Sequence, residues 1–384
     1  MNPGAKFLLK LLIFLLPFIA ISVPMFLSWE WLGGKRVSNL QQKYNYSILY
    51  GPVAETQYGF YKAESVRLLN PSIIVIGDSR ALEIRRFFFN ENVTFYNAGY
   101  AARNTAEIQY FLESQDVSNI DLVIFALNHF SFNLNWADVN YPNHTDYIEP
   151  PSQFSGANLI AGTRYIADNL MAGKRVPLKN ISTLKYIGLN AAINQNGMLN
   201  DGSYFYGEGI SKAAAGFDAQ QRVEDTLSRI ESANRRFQHG EKANPNAVYY
   251  LEQFLQYCLD NHIDVICFAP PYAPTVNDAM REKGAAYAYQ QETLEIVPRI
   301  FDDYGYEFFD YTDAAFLGCT DDFYLDGFHG SDVVYLRMFI NMIERGSRLG
   351  EYCSLEDLHA YDKNRSSNIS LLETWEDYNA LTLI

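Results

Sequence analysis

Between Ser72 and Gly77 the chain reads "SIIVIG", four consecutive strand-forming residues closed off by Gly77-Asp78. A run that is apolar at every position cannot leave one face in water. It predicts a strand buried on both faces, as in a parallel sheet covered by helices. The same grammar then recurs. "ALEIRRFF" (81–88) reads as a helix, "VTFYNAG" as a second strand ending at Gly99, "TAEIQYFLES" as a helix and "DLVIFALN" as a third strand ending at Asn128. After an interruption, the pattern resumes with a helix from about Asn246 to Asp260, the strand "DVICFAP", a helix over Gln290 to Asp303, the short strand "YEFFDY" and a last helix over Ser331 to Glu344. This alternation predicts an α/β fold, a three-layer α/β/α sandwich with a mainly parallel five-stranded sheet. Right-handed crossovers then put the strand ends and the loops after them on one edge.

The interruption, residues 130–245, is rich in Asn, Tyr and Gly and weakly periodic apart from a helix around Gln220 to Arg236, so it reads as a large insertion with a functional or partner-binding role. Residues 34–70 read as a stalk that packs onto the domain of residues 71–350. From Glu351 to Ile384, seven acidic residues face only Lys363 and Arg365, which predicts a solvated, partly helical tail.

Residues 1–33 carry a different signal. From Leu11 to Trp29 there are 19 residues without a charge, flanked by Lys6 and Lys10 on one side and Glu30, Lys35 and Arg36 on the other. That length suits a single transmembrane helix, with Trp29 and Trp31 at the interface. A cleaved signal peptide is the competing reading, with Ala20-Ile21-Ser22 as its small-residue site. An uncleaved anchor is preferred because the apolar run continues past that site, and it places the rest of the chain outside the cytoplasmic membrane.

With 384 residues, 48% of them hydrophobic, a substantial core can be buried. A net charge of -15 without a long basic run in the globular part argues against nucleic acid. The 28 Tyr and 26 Phe suit aromatic cores and sugar-binding surfaces alike. Cys258, Cys267, Cys319 and Cys353 have no Cys-x-x-Cys spacing. An oxidising compartment would permit Cys319 to pair with Cys353, while Cys258 and Cys267 read as buried thiols. No cluster has metal-ligand spacing and no Gly-rich loop suggests a nucleotide, so no cofactor is expected.

Four short stretches carry chemistry at the strand ends. Ser79 follows the first strand at the Gly77-Asp78 turn, where a hydroxyl can be lifted to the sheet edge and a helix N-terminus would favour negative charge. Ser and Asp are also ordinary helix caps. "LDGFHGSD" spaces Asp326 three residues before His329, so the carboxylate can hold Nδ1–H while Nε2 faces a nucleophile. Gly99 can offer a close backbone N–H, and Asn128 a side-chain amide. Taken singly, each is an ordinary turn residue.

Together, residues 77–80, 97–99, 126–129 and 326–329 resemble the four signature blocks of the SGNH, or GDSL-like, hydrolase superfamily. The resemblance covers roughly Pro71 to Phe130 and Val265 to Glu344. It implies Ser79 as nucleophile, His329 as general base, Asp326 as the residue orienting it, and Ser79 N–H, Gly99 N–H and the Asn128 side chain as oxyanion donors. Gly-Asp-Ser-Arg lacks the family's usual Leu after Ser, and Ala-Leu-Asn-His replaces Gly-x-Asn-Asp, which puts Arg80 and His129 forward as cleft-lining residues. An anchor, an extracytoplasmic domain of this type and a Tyr/Asn-rich insertion resemble proteins of alginate acetylation and D-alanine transfer. The expected function is therefore a serine-dependent O-acyltransferase, acetyl being the expected group, acting on a cell-envelope or exported polysaccharide beside a membrane-bound O-acyltransferase. An esterase of acylated glycans and a non-catalytic polysaccharide-binding scaffold are the alternatives.

Overall fold

The computed structural model describes the chain apart from residues 1, 45, 54–57, 137–138, 141–146, 148–155, 175–182, 217 and 383–384. Five strands, β2 (Ile73–Ile76), β3 (Phe95–Asn97), β4 (Leu122–Ala126), β8 (Asp264–Ala269) and β9 (Glu307–Asp310), form one sheet in the order β3-β2-β4-β8-β9. Every pairing in it is parallel, with Ile76 opposite Phe125 and Ala126 opposite Phe268. The apolar runs are continuous because both faces are covered. Ile73, Val75 and Ile124 join Leu336 and Phe339 of the Asp332–Glu344 helix in one core, while Ile74, Ile76 and Val123 join Phe111, Phe254 and Phe301 in another.

The strand order reverses between β2 and β4, and in an open parallel sheet that reversal leaves a crevice beyond the strand ends. Ser79 and Asn128 sit in the two loops that border it. At the first of these loops Gly77 has φ 151, and a Cβ there would lie 2.9 Å from the Ala126 carbonyl oxygen, so only glycine lets the turn sit this close to β4.

No α-helix follows β2, contrary to the helix expected at 81–88. Residues Ser79–Ala81 and Arg86–Phe88 form two separate 3₁₀ turns. The Asn97 side chain explains this, since its Nδ2 donates to the carbonyls of Ala81 and Ile84, which an α-helix would use as its own acceptors.

The segments read as stalk and insertion build a second sheet, order β5-β1-β6-β7, from β1 (Leu49–Tyr50), β5 (Tyr186–Ile187), β6 (Asn196–Met198) and β7 (Tyr204–Tyr206). The described residues of 34–70 pack onto the domain through β1 and the Tyr58–Leu69 helix. Lys62, fully buried on the Tyr58–Leu69 helix, donates through Nζ to the carbonyl of Asn97 at 2.7 Å and to that of Gly202. One side-chain amine so ties that helix, the end of β3 and the β6–β7 hairpin together.

The acidic tail is not simply solvated. Glu373, Glu376 and Asp377 face water, but Trp375 and Tyr378 are only 1% exposed. The Tyr378 hydroxyl donates to Asp332, and Trp375 Nε1 donates to the Tyr186 hydroxyl at 3.3 Å. Acidic positions alternate there with an apolar helical face, which charge counting conceals. All four cysteines are free and buried, so Cys319 and Cys353 are not bridged. At the other terminus, a helix over Pro3–Leu27 leaves Phe7, Leu8, Ile13 and Phe14 exposed. Among the described residues no helix is long and apolar enough to cross a membrane.

Candidate active site

Ser79, Asp326 and His329 converge at the edge of the parallel sheet. Ser79 Oγ lies 2.9 Å from His329 Nε2, and His329 Nδ1 lies 2.9 Å from Asp326 Oδ2 and 3.1 Å from Oδ1. The capping residue and the residue that meets the histidine are separate here. Asp78, not Ser79, caps the 3₁₀ turn by accepting the Arg80 N–H at 2.8 Å, which leaves the Ser79 hydroxyl to the histidine. Asp326 Oδ1 also accepts the backbone N–H groups of Phe328 and His329 at 2.8 and 2.7 Å. Burial pushes the Asp326 carboxyl upward in pKa, but His329 and those hydrogen bonds outweigh it and hold the group at about 2. The carboxylate is therefore ionised at neutral pH and fixes the proton on Nδ1, so Nε2 is the free acceptor.

The expected oxyanion donors fare differently. Gly99 N–H is already given to Asn97 Oδ1 at 2.8 Å, so it is not a free donor. Asn128 Nδ2 donates one hydrogen to Asp78 Oδ1 at 2.7 Å and keeps a second. Asp78 caps the turn and its carbonyl accepts the first backbone hydrogen bond, from the Ala81 N–H at 3.1 Å, so the Ser79 N–H precedes that bond and has no acceptor within the turn.

Arg80 and His129, expected to line the cleft, are both fully buried and do not reach the cavity wall. The Arg80 guanidinium lies 4.1 Å from the Tyr272 ring centroid and 4.8 Å from that of Phe328, and donates to the carbonyls of Pro270 and Pro271. It also donates to Asn128 Oδ1 at 3.1 Å, which fixes which end of the Asn128 amide points at Asp78. Arg80 therefore positions Asn128 and the loop before His329. Burial, offset by Asp310 and reinforced by Arg80, lowers the His129 pKa to about 4, so that ring is neutral.

The Ser79–His329 pair opens into a cavity of ≈ 400 Å³. Its wall includes Tyr58, Tyr100, Tyr165, Tyr204 and Tyr206, and Arg236. Burial first, then the Glu83 carboxyl, push the Tyr206 phenol well above its ordinary pKa, leaving it a neutral donor beside His329, with ring centroids 5.8 Å apart. Tyr100 has φ 70, an uncommon left-handed conformation for an aromatic residue, held by its N–H bonding the Gly77 carbonyl at 2.9 Å.

Sequence reasoning missed Asn97, Tyr100, Tyr204, Tyr206, Lys62 and Arg236. Asn97 and Tyr100 flank Gly99 in "YNAGY", where a polar residue ending a buried strand was the available signal. Tyr204 and Tyr206 come from a strand of three residues, too short for periodicity to register, whereas Lys62 sits on the Tyr58–Leu69 helix and Arg236 follows the Ala219–Glu231 helix, where nothing local announces their long-range contacts. No group of His, Cys, Asp and Glu able to hold a metal ion occurs among the described residues. Compared with protein-family models, curated proteins and solved structures, the chain has no match in any of the three.

Proposed function

We propose that this chain is a serine-dependent acyltransferase of the SGNH type that moves an acyl group, acetyl being the simplest that fits, onto a hydroxyl of a cell-envelope or exported polysaccharide. The observation that carries the reading is the continuous Ser79–His329–Asp326 chain of contacts, 2.9 Å at each link, at the mouth of an aromatic cavity.

In this reading His329 Nε2 takes the Ser79 proton as Oγ attacks the acyl carbonyl carbon. Ser79 N–H and the second Nδ2 hydrogen of Asn128 stabilise the oxyanion, in place of Gly99. Collapse of the intermediate breaks the bond to the donor's leaving oxygen, which receives the proton from His329, and leaves an ester on Ser79. A sugar hydroxyl then gives its proton to His329 and attacks that ester, returning the proton to Ser79 as the product leaves. Tyrosine rings favour a sugar acceptor because their faces cover apolar C–H surfaces while their hydroxyls bond polar ones. Anchoring through the N-terminal segment, with a membrane-bound O-acyltransferase as donor, belongs to the same proposal and rests on the uncharged run from Leu11 to Trp29.

The test is intact-protein mass spectrometry after mixing the full chain with p-nitrophenyl acetate, with and without glycan oligosaccharides. An acetyl increment on Ser79 that moves to an oligosaccharide supports transfer. Release of acetate alone across a broad acceptor panel makes the protein an esterase. Equal labelling of Ser79→Ala, or an inert wild type, removes the catalytic reading and leaves a binding scaffold.

A further inference from the structure

Arg236 lines the cavity that holds Ser79 and His329, and the mechanism above does not use it. Its guanidinium lies 5.5 Å from the Phe130 ring centroid and 5.4 Å from that of Phe328, the residue just before His329. Cation–π contacts of that kind brace the guanidinium, whose N–H groups have no hydrogen-bond acceptor among the described residues. The backbone is committed as well. Arg236 has φ 88, and its N–H donates to Gln238 Oε1 at 2.8 Å. A non-glycine residue persists in that region only where its surroundings impose it.

What faces the guanidinium is the informative part. Among the described residues no Asp or Glu lines the cavity, although the chain carries a net charge of -15. Among the described residues no carboxylate pairs with Arg236. A cation without a counter-ion in a partly desolvated wall sets a local positive potential within a protein that repels anions at long range.

We infer that Arg236 is an anion subsite, binding an oxyanion substituent, a carboxylate or a phosphate ester, on the sugar that receives the acyl group. The inference rests on the proposed function in placing the acceptor in this cavity. An acetyl group on Ser79 fills only a small part of ≈ 400 Å³, and the remaining space, walled by Tyr58, Tyr204 and Tyr206, accommodates sugar. The guanidinium fork matches carboxylate and phosphate bidentately, so it selects for the charged substituent and sets which hydroxyl reaches Ser79.

Binding is measured by isothermal titration calorimetry on the full-chain Ser79→Ala variant, which separates it from turnover. The probes are a glucuronate tetrasaccharide, a neutral glucose tetrasaccharide and a glycerol phosphate oligomer. One of the two anionic probes binds about tenfold tighter than the neutral one, a difference of about 1.4 kcal/mol, and which of them does so distinguishes carboxylate from phosphate. Adding Arg236→Gln erases the preference while leaving the neutral probe's affinity unchanged. Arg236→Lys, which keeps the charge and stem, restores part of it and does so less at high salt, a control against misfolding. Equal affinity for neutral and anionic probes, a preference that survives Arg236→Gln, or no binding of any probe overturns the subsite. The catalytic reading is tested separately, since wild-type turnover of p-nitrophenyl acetate with no anion preference removes only the subsite.

Discussion

The Asn97 side chain accepts the Gly99 N–H at 2.8 Å and donates to the Ala81 and Ile84 carbonyls at 2.8 and 2.9 Å. One fully buried amide thereby occupies a backbone donor expected for the oxyanion and prevents a helix after Ser79. Replacing it leaves three buried backbone groups without partners. Asn97→Ala is expected to destabilise the fold by about 3 kcal/mol or more, at roughly 1–3 kcal/mol for each such group, read as a lower urea midpoint. An unchanged midpoint would mean that water or a shifted backbone satisfies all three.

In the proposed mechanism Asn128 is the side-chain oxyanion donor that remains, with one Nδ2 hydrogen given to Asp78. Asn128→Ala should lower kcat for p-nitrophenyl acetate by about 10²–10³ with little change in KM, the usual effect of losing one such donor. A wild-type rate would show that Ser79 N–H acts with some other group.

Asp326→Asn keeps the shape but loses the charge that holds the His329 tautomer. Its kcat should fall by about 10⁴, by the precedent of a triad carboxylate converted to its amide, while circular dichroism stays native. A fall below tenfold would make Asp326 dispensable, with backbone contacts alone orienting the histidine.

Buried His129 gives the fold a pH dependence. Its pKa is lowered to about 4 in the folded chain, against about 6.5 when unfolded. Between those values the unfolded state binds the extra proton, so stability is full above pH 6.5 and falls as pH drops toward 4, by at most about 1.4 kcal/mol per unit. Thermal melts across that window should have a slope that His129→Gln flattens. The facing charged groups, Arg80 and Asp310, are unaltered by the substitution, so an unchanged slope would assign the effect elsewhere.

In the tail, Trp375→Ala should cost about 3–5 kcal/mol as a large buried aromatic is removed. Glu376→Ala, on the exposed side of the same helix, should stay within about 0.5 kcal/mol. Similar small effects for both would return the segment to solvent.

Local signals made the parallel sheet legible. "SIIVIG" and "DLVIFALN" are buried on both faces, and such runs have few other uses. Ser79, Asp326 and His329 were legible for a related reason, since each is fixed close to a strand end or turn by short-range geometry. Legibility stopped where contacts are long-range. Nothing near Arg80 announces that its guanidinium turns inward onto Pro270, Tyr272 and Phe328, nearly 200 residues and more away, and nothing near Gly99 announces that a side chain two residues earlier takes its N–H. The acidic count after Glu351 suggested solvent because charge is visible in composition, whereas Trp375 and Tyr378 are buried by partners at Tyr186 and Asp332.

The sequence by itself determined an α/β chain with five strand runs, a serine just past the first of them, and a carboxylate and a histidine in the loop before the Asp332–Glu344 helix. Only the tertiary structure decided that 34–70 and the insertion close over the strand ends as a second sheet, that Tyr204, Tyr206 and Arg236 share a cavity with Ser79, and that Gly99 is spoken for. The physical reason is one of range. Backbone propensity and hydrophobic period act over a few residues, while a cavity wall and a hydrogen bond's choice of partner are set by whichever groups folding brings within about 3 Å of each other.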